Sequence, residues 1–285
     1  MLSYIGGKSS ISKWIIPFIP KDIKTYVENF SGMYWVFLKM NIDDYPNLEK
    51  VVYNDFNKLN VNLFKCVSSD HQRLLEVCEK VPVQLKRDDG STTPPECKEF
   101  FNVSQAEIYA DDFVVPDEPD YELAAKYAYV LSSVFSGANP SGSSFIDLKG
   151  KYHSKFTSFM NKLKNPKWQK MFDLITVCEN MDFQEVTEKY DSPDTYVYSD
   201  PPYWVIGEGK YYSNHGFGRA DHERLAECLK SMKGKFSLSY YEFDLLHEWF
   251  PTDEYRWEKK EFHKAAAAKK GQSQPKATEL LIMNY

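Results

Sequence analysis

The sequence Thr25-Tyr26-Val27-Glu28-Asn29-Phe30-Ser31-Gly32 begins a run of alternating element types that extends to residue 64. β-branched and aromatic residues lead into a glycine turn, and the residues after the turn have helical spacing. The predicted elements are a strand at 25–28, a turn at 29–32, a short helix at 36–40, a strand at 50–53 and a helix at 57–67. Two strand-helix units in succession predict a parallel sheet with crossover helices.

The same pattern returns near the end of the chain. We expect strands at 174–178, 195–199, 235–240 and 279–283, and an amphipathic helix at 222–232. Both ends of the chain therefore contribute to one α/β sheet.

The middle of the chain, residues 61–169, differs in composition. Residues 107–122 hold seven acidic side chains and no basic one, whereas residues 149–170 hold seven lysines and no acid. Loop-forming residues and helical spacing alternate between these stretches. We therefore predict a catalytic domain made of residues 1–60 and 170–285, with an inserted, mostly helical domain at 61–169.

Composition limits the function classes. The 285 residues carry 35 basic and 41 acidic side chains, a formal net charge of -6, so any nucleic-acid contact must come from local patches. The five cysteines are scattered without the Cys/His spacing of a zinc site, and we expect free thiols and no metal. No stretch has the pattern of a signal peptide or a membrane span, which predicts a soluble cytoplasmic protein with no membrane partner.

The sharpest chemical signal is Ser199-Asp200-Pro201-Pro202-Tyr203-Trp204, directly after an apolar strand. Ligands of open α/β sheets bind beyond the carboxyl ends of the strands. The prolines have no N–H, so their carbonyls are rigidly aimed acceptors beside the Asp200 carboxylate and the flat face of Tyr203. Such a group suits a planar ring with an exocyclic NH₂. Alternatively, the same residues form a strand end with a proline turn and a buried tyrosine.

This motif resembles the catalytic motif of amino-group methyltransferases that use S-adenosylmethionine. The chain is similar to the Dam-type (alpha-group) DNA adenine N6-methyltransferases, because four further stretches match in the expected order. They are Tyr4-Ile5-Gly6-Gly7-Lys8, Glu28-Asn29-Phe30-Ser31-Gly32, Asn54-Asp55 and Glu179-Asn180-Met181-Asp182-Phe183. The resemblance covers most of residues 1–60 and 170–285. It implies a Rossmann-like seven-stranded methyltransferase sheet with an inserted, mostly helical target-recognition domain.

The resemblance also implies roles for single residues. It makes S-adenosylmethionine the cofactor and adenine in double-stranded DNA the substrate, reached by base flipping. The implied catalytic residues are Asp200, Pro201, Pro202 and Tyr203. The implied cofactor-binding residues are Tyr4, Ile5, Gly6, Gly7, Lys8, Phe30, Ser31, Gly32, Asp55, Asp182, Phe183 and Asp200. Among these, Asp55 holds the ribose hydroxyls, and Asp182 and Phe183 flank the adenine of the cofactor.

Each assignment has a plain structural alternative. Asp55 fits equally well as a helix N-cap, Lys8 as a solvated surface lysine and Asp182 as an ordinary loop acid. Two positions depart from the family pattern: Met33-Tyr34 stands where a second glycine usually follows, and Asn29 where a proline is common. The bulky tyrosine would narrow the cofactor pocket or lie along it, and would weaken cofactor binding.

Contacts to DNA are expected from the lysine-rich residues 149–170, where aromatic side chains alternate with positive charge. The predicted DNA-binding residues are Asn139, Ser141, Lys149, Lys151 and Lys155, the first two for reading base edges. The interleaved aromatic residues are Tyr152, Phe156, Phe159 and Trp168. The alternative is a solvated helix face. A second basic stretch lies at 256–276, and residues 207–218 would form a mobile cover over the target base.

Several functions remain open from the sequence. An RNA adenine methyltransferase or a protein amide methyltransferase would use the same chemistry, although the protein-glutamine branch usually has Asn, and cytosine-N4 enzymes usually have Ser, at the position of Asp200. A weakened or inactive homologue that binds DNA is the non-enzymatic alternative. We expect a monomer or weak dimer in a prokaryotic or phage-infected cell, in a restriction-modification, phage or regulatory setting.

Overall fold

Seven strands form one mixed sheet. The computed structural model describes residues 1–2, 7–87, 93–137, 139–204, 216–263 and 276–285. The strands are β1 Thr25–Glu28, β2 Lys50–Asn54, β3 Val177–Glu179, β4 Thr195–Ser199, β5 Lys235–Tyr240, β6 Arg256–His263 and β7 Lys276–Met283. Their order is β3-β2-β1-β4-β5-β7-β6. Strand β1 pairs in parallel with β2 and β4, β4 pairs in parallel with β5, and β7 is antiparallel to β5 and β6. The predicted seven-stranded α/β fold is confirmed.

The α-helices of the described residues lie before, between and after these strands in the chain. They are α1 Ser12–Ile15, α2 Lys58–Cys78, α3 Pro95–Ile108, α4 Tyr121–Ser133, α5 Lys155–Leu163, α6 Pro166–Asp173, α7 Phe183–Tyr190, α8 Arg219–Lys230 and α9 Asp244–Trp249. Short polar side chains cap several of them: Asp120 accepts from the Leu123 N–H at 3.0 Å, and Ser154 from the Thr157 N–H at 3.2 Å.

Three predicted elements extend further than expected: the helix at 57–67 continues to Cys78, the helix at 222–232 begins at Arg219, and the strand at 279–283 begins at Lys276. Two others differ more. The helix expected at 36–40 is only a 3₁₀ turn, Phe37–Lys39. The strand expected at 174–178 begins at Val177, because helix α6 continues to Asp173 and its last turn is closed by Leu174. In both places a short apolar run is shared between neighbouring elements. Periodicity alone does not show where one element ends and the next begins.

The chain divides into two compact units. The helical unit contains Met1–Ser10, Gly32–Lys39 and Asp55–Asn180, and the sheet unit contains Ile11–Ser31, Met40–Asn54 and Met181–Tyr285. The domain boundaries expected at residues 60 and 170 remain a prediction.

The helical unit has an aromatic core. Phe64 on α2, Phe101 on α3, Tyr129 on α4 and Phe156 on α5 are all buried. The rings of Tyr129 and Phe156 meet edge-on, with centroids 5.2 Å apart, and the Tyr129 hydroxyl donates to the Cys97 carbonyl at 3.0 Å. Aromatic packing of this kind holds four helices around one core.

In the sheet unit, strand β4 is buried along its whole length. Its parallel neighbours β1 and β5 also present fully buried side chains, such as Val27 and Phe236. The carboxyl ends of β1, β2, β4 and β5 therefore meet at one edge, where Asn29 and Asp200 follow their strands and Asn54 ends β2. Open α/β sheets place their ligand sites at this edge.

Candidate active site

The acidic motif lies where the sequence predicts it. Asp200 follows the last residue of β4 and is half-buried, Pro201 and Tyr203 are buried, and Pro202 is half-buried. The strand end is fixed by Ser199, whose Oγ donates to Asn29 Oδ1 at 2.9 Å. The amide of Asn29 in turn donates to Thr187 Oγ1 at 3.1 Å. Asn29, the departure from the family's proline, thus ties the motif to helix α7.

Tyr203 is held by its hydroxyl and by its ring. The hydroxyl donates to Glu279 on β7, and the ring stacks on Tyr240 at 5.2 Å and 22°. Tyr241 meets the same ring edge-on, with centroids 4.5 Å apart. Burial, followed by the nearby carboxylates of Asp200 and Glu279, raises the pKa of Tyr203 well above its usual value. The phenol therefore stays protonated and acts as a donor.

A buried histidine supports Tyr240, the residue on which Tyr203 stacks. His222 on α8 shares a hydrogen bond between its Nδ1 and the Tyr240 hydroxyl, and its ring lies 5.2 Å from that of Trp204. Burial lowers the pKa of His222 to about 4, so the imidazole is neutral near pH 7. No feature of the sequence singled out His222 or Glu279.

Phe30 and Phe183, both predicted to bind the cofactor, lie together in the sheet unit. Their rings stack at 5.4 Å and 28°, and Phe217 contacts each of them, at 5.6 Å and 5.7 Å. The guanidinium of Arg224 lies 4.3 Å from the Phe183 ring centre. Phe183 is thus covered by three side chains, and a ring that packs on it must displace one of them.

Asp182 is more than a loop acid. It caps helix α7 through the Gln184 N–H at 2.9 Å and receives two hydrogen bonds from Arg224, at 2.6 and 2.9 Å. Burial is the largest single effect and raises the pKa of Asp182. The bonds and charge of Arg224, together with the backbone N–H groups of Gln184 and Glu185, outweigh it and hold the pKa below the usual value. Asp182 is therefore a charged, fixed acceptor. Arg224 was not predicted from the sequence.

The glycine turn and Asp55 meet in the helical unit. Gly32, at φ 50°, donates its N–H to Asp55 Oδ2 at 2.7 Å, and the Asn57 N–H donates to Asp55 Oδ1 at 2.7 Å. The cap of helix α2 is Asn57, whose Oδ1 accepts from the Leu59 N–H at 3.0 Å. The alternative of Asp55 as the N-cap is therefore wrong.

Tyr34 occupies the position of the family's second glycine. It adopts φ 55°, in the left-handed region that side chains disfavour, which explains why glycine is usual there. Its ring is completely buried against Phe37 at 4.8 Å and Phe64 at 5.8 Å. Tyr34 therefore belongs to the core of the helical unit.

The remaining predicted cofactor residues belong to the N-terminal stretch 4–8 and to the glycine turn. Tyr4, Ile5 and Gly6 are outside the described residues. Gly7 is exposed and Lys8 is buried, so the alternative of Lys8 as a solvated lysine is wrong. Ser31, which is buried, donates its Oγ to the Glu28 carbonyl at 2.8 Å.

All five predicted DNA-binding residues are exposed. They are Asn139, Ser141, Lys149, Lys151 and Lys155. Their loop is held by two glutamines that the sequence did not single out. Gln105 donates to the carbonyls of Pro140 and Ser143, at 2.6 and 2.8 Å, and the buried Gln84 donates to the Ile146 carbonyl at 2.9 Å.

The lysine-rich stretch needs one correction. Phe156 and Phe159 are completely buried on α5, because their spacing places them on the inner side of the helix, so neither ring is available to stack on bases. Tyr152 is 68% exposed, and Trp168 is half-buried. In the second basic stretch Arg256 and Lys259 form ion pairs with acids, while residues 264–275 are outside the described part of the chain. The expected cover at 207–218 is described only from Gly216 onward.

No cluster of three or more His, Cys, Asp or Glu side chains arranged to hold a metal ion occurs in the described part of the chain. Within the same ranges, no helix combines the length and apolar character needed to cross a bilayer.

Comparison with known proteins gives one family. The sequence matches the D12 class N6 adenine-specific DNA methyltransferases over residues 4–264. It is 26% identical to the Type II methyltransferase M.MjaIII of Methanocaldococcus jannaschii, with 100% of this chain and 98% of the relative aligned. It is 23% identical to the Type II methyltransferase M1.LlaDCHI of Lactococcus lactis subsp. cremoris, over 99% and 94%. It is 23% identical to the DNA adenine methylase of Haemophilus influenzae, over 84% and 76%. Because the family match covers most of the sequence, this chain belongs to the D12 class N6 adenine-specific DNA methyltransferases.

Proposed function

We propose that this chain is a Dam-type (alpha-group) enzyme that transfers a methyl group from S-adenosylmethionine to N6 of adenine in double-stranded DNA. The observation that carries the proposal is the motif Asp200-Pro201-Pro202-Tyr203 at the carboxyl end of β4, with the Tyr203 ring packed in a fixed position. The relatives named above are DNA adenine methylases or Type II methyltransferases, which supports DNA as the substrate.

The chemistry follows from the acceptors. Adenine N6 is a weak nucleophile because its lone pair is delocalised into the ring. Asp200 and the Pro201 carbonyl each accept a hydrogen bond from one of the two N6 hydrogens. These bonds draw the nitrogen toward tetrahedral geometry and localise its lone pair. Pro202 restricts the backbone before it, so the Pro201 carbonyl keeps its direction. The cofactor, when bound, supplies an electrophilic methyl group.

The flipped base needs a surface on which to stack. Unstacking a base from the duplex costs on the order of a few kcal/mol, and an aromatic platform in the enzyme offsets this cost. Tyr203 provides the platform, and Trp204, next in the chain, extends it. Base flipping into this motif therefore requires that the Tyr203 ring keep its orientation.

The residues present fit the cofactor. In the sheet unit, the apolar ring of Phe183 and the charged acceptor Asp182 suit an adenine ring and its amino group, and the cofactor's adenine takes the place of Phe217 against Phe183. In the helical unit, Asp55 is oriented by Gly32 and suits vicinal ribose hydroxyls. Lys8, on the buried N-terminal turn, suits the carboxylate of the methionine end.

Recognition of DNA is assigned to the segment 61–169. Its exposed lysines contact phosphates, and the Asn139 and Ser141 side chains read base edges from a loop held by glutamines.

The chain acts as a monomer or weak dimer. Its five cysteines are free thiols, and the relatives named above come from prokaryotes, which supports the cytoplasm of a prokaryotic or phage-infected cell.

The test compares the wild-type chain with Asp200→Ala, using labelled S-adenosylmethionine with unmethylated genomic DNA and, in a parallel reaction, with RNA of mixed sequence. Loss of one transition-state acceptor lowers the rate about 100- to 1,000-fold. The matched control is Asp194→Asn, which removes an exposed ion pair with Lys24 just before β4 and leaves the rate unchanged. Nucleoside analysis identifies the product. Asp200→Ala turning over near the wild-type rate, or N6-methyladenine formed in RNA but not in DNA, contradicts the proposal.

A further inference from the structure

A buried carboxylate lies beside the catalytic motif without a part in the proposed chemistry. Glu279 on β7 is 1% exposed, and the residues that follow it in the strand, from Leu280 to Met283, are buried and apolar. Its Oε1 accepts the hydrogen bond of the Tyr203 hydroxyl. The strand pattern provides no reason for an acid at this position.

Burying a carboxylate is unfavourable unless hydrogen bonds or charges compensate for lost hydration. An apolar residue at position 279 would avoid this cost and would extend the apolar run of β7. What Glu279 provides instead is an acceptor at a fixed place in the sheet, since β7 pairs with β5 through Tyr240 and Leu280. The Tyr203 hydroxyl is thereby tied to the sheet.

The Tyr203 ring is restrained in three ways. Tyr240 stacks on it, Tyr241 contacts it edge-on, and Glu279 holds its far end. Ring contacts fix the plane of a tyrosine loosely, because one ring can slide on another. A hydrogen bond at the hydroxyl adds a directional restraint, since it weakens steeply when the angle changes.

We infer that Glu279 is a positioning residue for methyl transfer: by accepting the hydrogen bond of Tyr203, it fixes the ring on which the target adenine stacks. The inference rests on the proposed function of Tyr203. Without the bond the ring tilts, and the target nitrogen occupies the reactive geometry in a smaller fraction of encounters. The rate of the bound complex falls, whereas cofactor affinity does not change.

The experiment uses the full chain with S-adenosylmethionine and unmethylated genomic DNA, and it measures kcat, both KM values and Tm. Glu279→Leu and Tyr203→Phe each lower kcat about 10- to 100-fold, as expected when a buried hydrogen-bonding group loses its partner. The KM for the cofactor stays within twofold. Glu279→Gln, which keeps an acceptor oxygen in the same shape, retains most of kcat. The double variant is no slower than the slower single variant, because both lose the same bond.

The matched control is Tyr285→Phe. It removes another tyrosine hydroxyl bond in the same unit, from Tyr285 to the Phe18 carbonyl at 2.8 Å, and no residue of the motif is among the described partners of Tyr285. This variant loses Tm but keeps kcat.

Three results separate the outcomes. A folded Glu279→Leu variant with kcat within twofold of wild type overturns the role of Glu279 alone. If Glu279→Leu does not fold, Tyr203→Phe decides, and a wild-type kcat for that variant overturns the role. A wild-type chain that forms no N6-methyladenine in DNA refutes the proposed function, and with it this role.

Discussion

Acidification destabilises the sheet unit through the buried imidazole of His222. The imidazole is 4% exposed, and its ring is contacted by Trp204 and Phe217, at 5.2 and 4.7 Å between centroids. Its Nδ1 shares a hydrogen bond with the Tyr240 hydroxyl. Burial lowers its pKa from 6.5 to about 4. Protonation would place a charge among rings that pack on the catalytic motif.

The size of the effect follows from the two pKa values. The folded pKa lies below the unfolded one, so as the pH falls the unfolded chain binds the proton first. Neutral His222 therefore stabilises the fold fully above about pH 6.5, and this stability is lost as the pH falls toward about 4. At about 1.4 kcal/mol for each pKa unit, the total loss is about 3 kcal/mol.

Two measurements test this expectation. An NMR titration of the histidine Cε1–H signals gives the pKa of the resonance that disappears in His222→Phe. Urea unfolding between pH 7.5 and pH 4.5 gives the pH slope of the free energy of unfolding. His222→Phe removes the His222 part of that slope, although it also lowers stability at every pH because the Tyr240 hydroxyl loses its partner.

The control is Tyr240→Phe. It removes the hydrogen bond to Nδ1 but leaves the imidazole buried, and burial is the largest cause of the lowered pKa of His222. This variant loses stability but keeps the pH slope of the wild-type chain. A measured pKa above 6 for His222, or an unchanged slope in His222→Phe, refutes the reasoning.

Three further predictions concern packing, the cofactor and DNA. Gly234→Ala lowers the free energy of unfolding by about 2–3 kcal/mol, seen as a lower Tm, because the added Cβ would lie 2.5 Å from the Thr195 carbonyl oxygen. Arg224→Gln weakens cofactor binding in calorimetry about tenfold, since it releases the carboxylate predicted to face the adenine. Lys151→Gln lowers the slope of log K for DNA against log salt by about one, measured by fluorescence anisotropy.

Matched variants control these predictions. Arg219→Gln, on the same helix as Arg224 but paired with the exposed Glu223, keeps wild-type cofactor affinity. Lys24→Gln, an exposed lysine of the sheet unit, keeps the wild-type salt slope. Equal effects in variant and control, or an unchanged Tm for Gly234→Ala, would show that the assigned contacts do not act as described.

The sequence predicted those strands whose pattern is local. Strands β4 and β5 begin and end where their apolar runs do, because both are buried inside the sheet. Strand β4 lies between the parallel strands β1 and β5, and β5 lies between parallel β4 and antiparallel β7. Strand β6, Arg256–His263, was not predicted, since five of its eight residues are charged. It is the last strand in the sheet order, and charges on an edge strand discourage pairing with other chains. The same charges obscure the alternation of apolar and polar residues by which a strand is recognised in a sequence.

The same distinction holds for the site. Asp200 and its prolines were identified because a short motif follows a strand directly. Glu279 and Arg224 were missed because each acts on a partner distant in sequence, Tyr203 and Asp182, and no spacing rule links such pairs. Only the pairing of strands and the packing of helices brings them together.

Tyr34 has a consequence for the engineering of hybrid enzymes. Its left-handed backbone belongs to the glycine turn, while its ring fills the core beside Phe64 on α2. Suppose that the helical segment is replaced by that of a relative with glycine at position 34, while Tyr34 of this chain is kept. The grafted core would then have no cavity to receive the tyrosine ring. The reverse graft would leave a hole the size of a phenol ring. Recognition segments can therefore be exchanged cleanly only when the crossover point lies before residue 34, so that the tyrosine travels with its core.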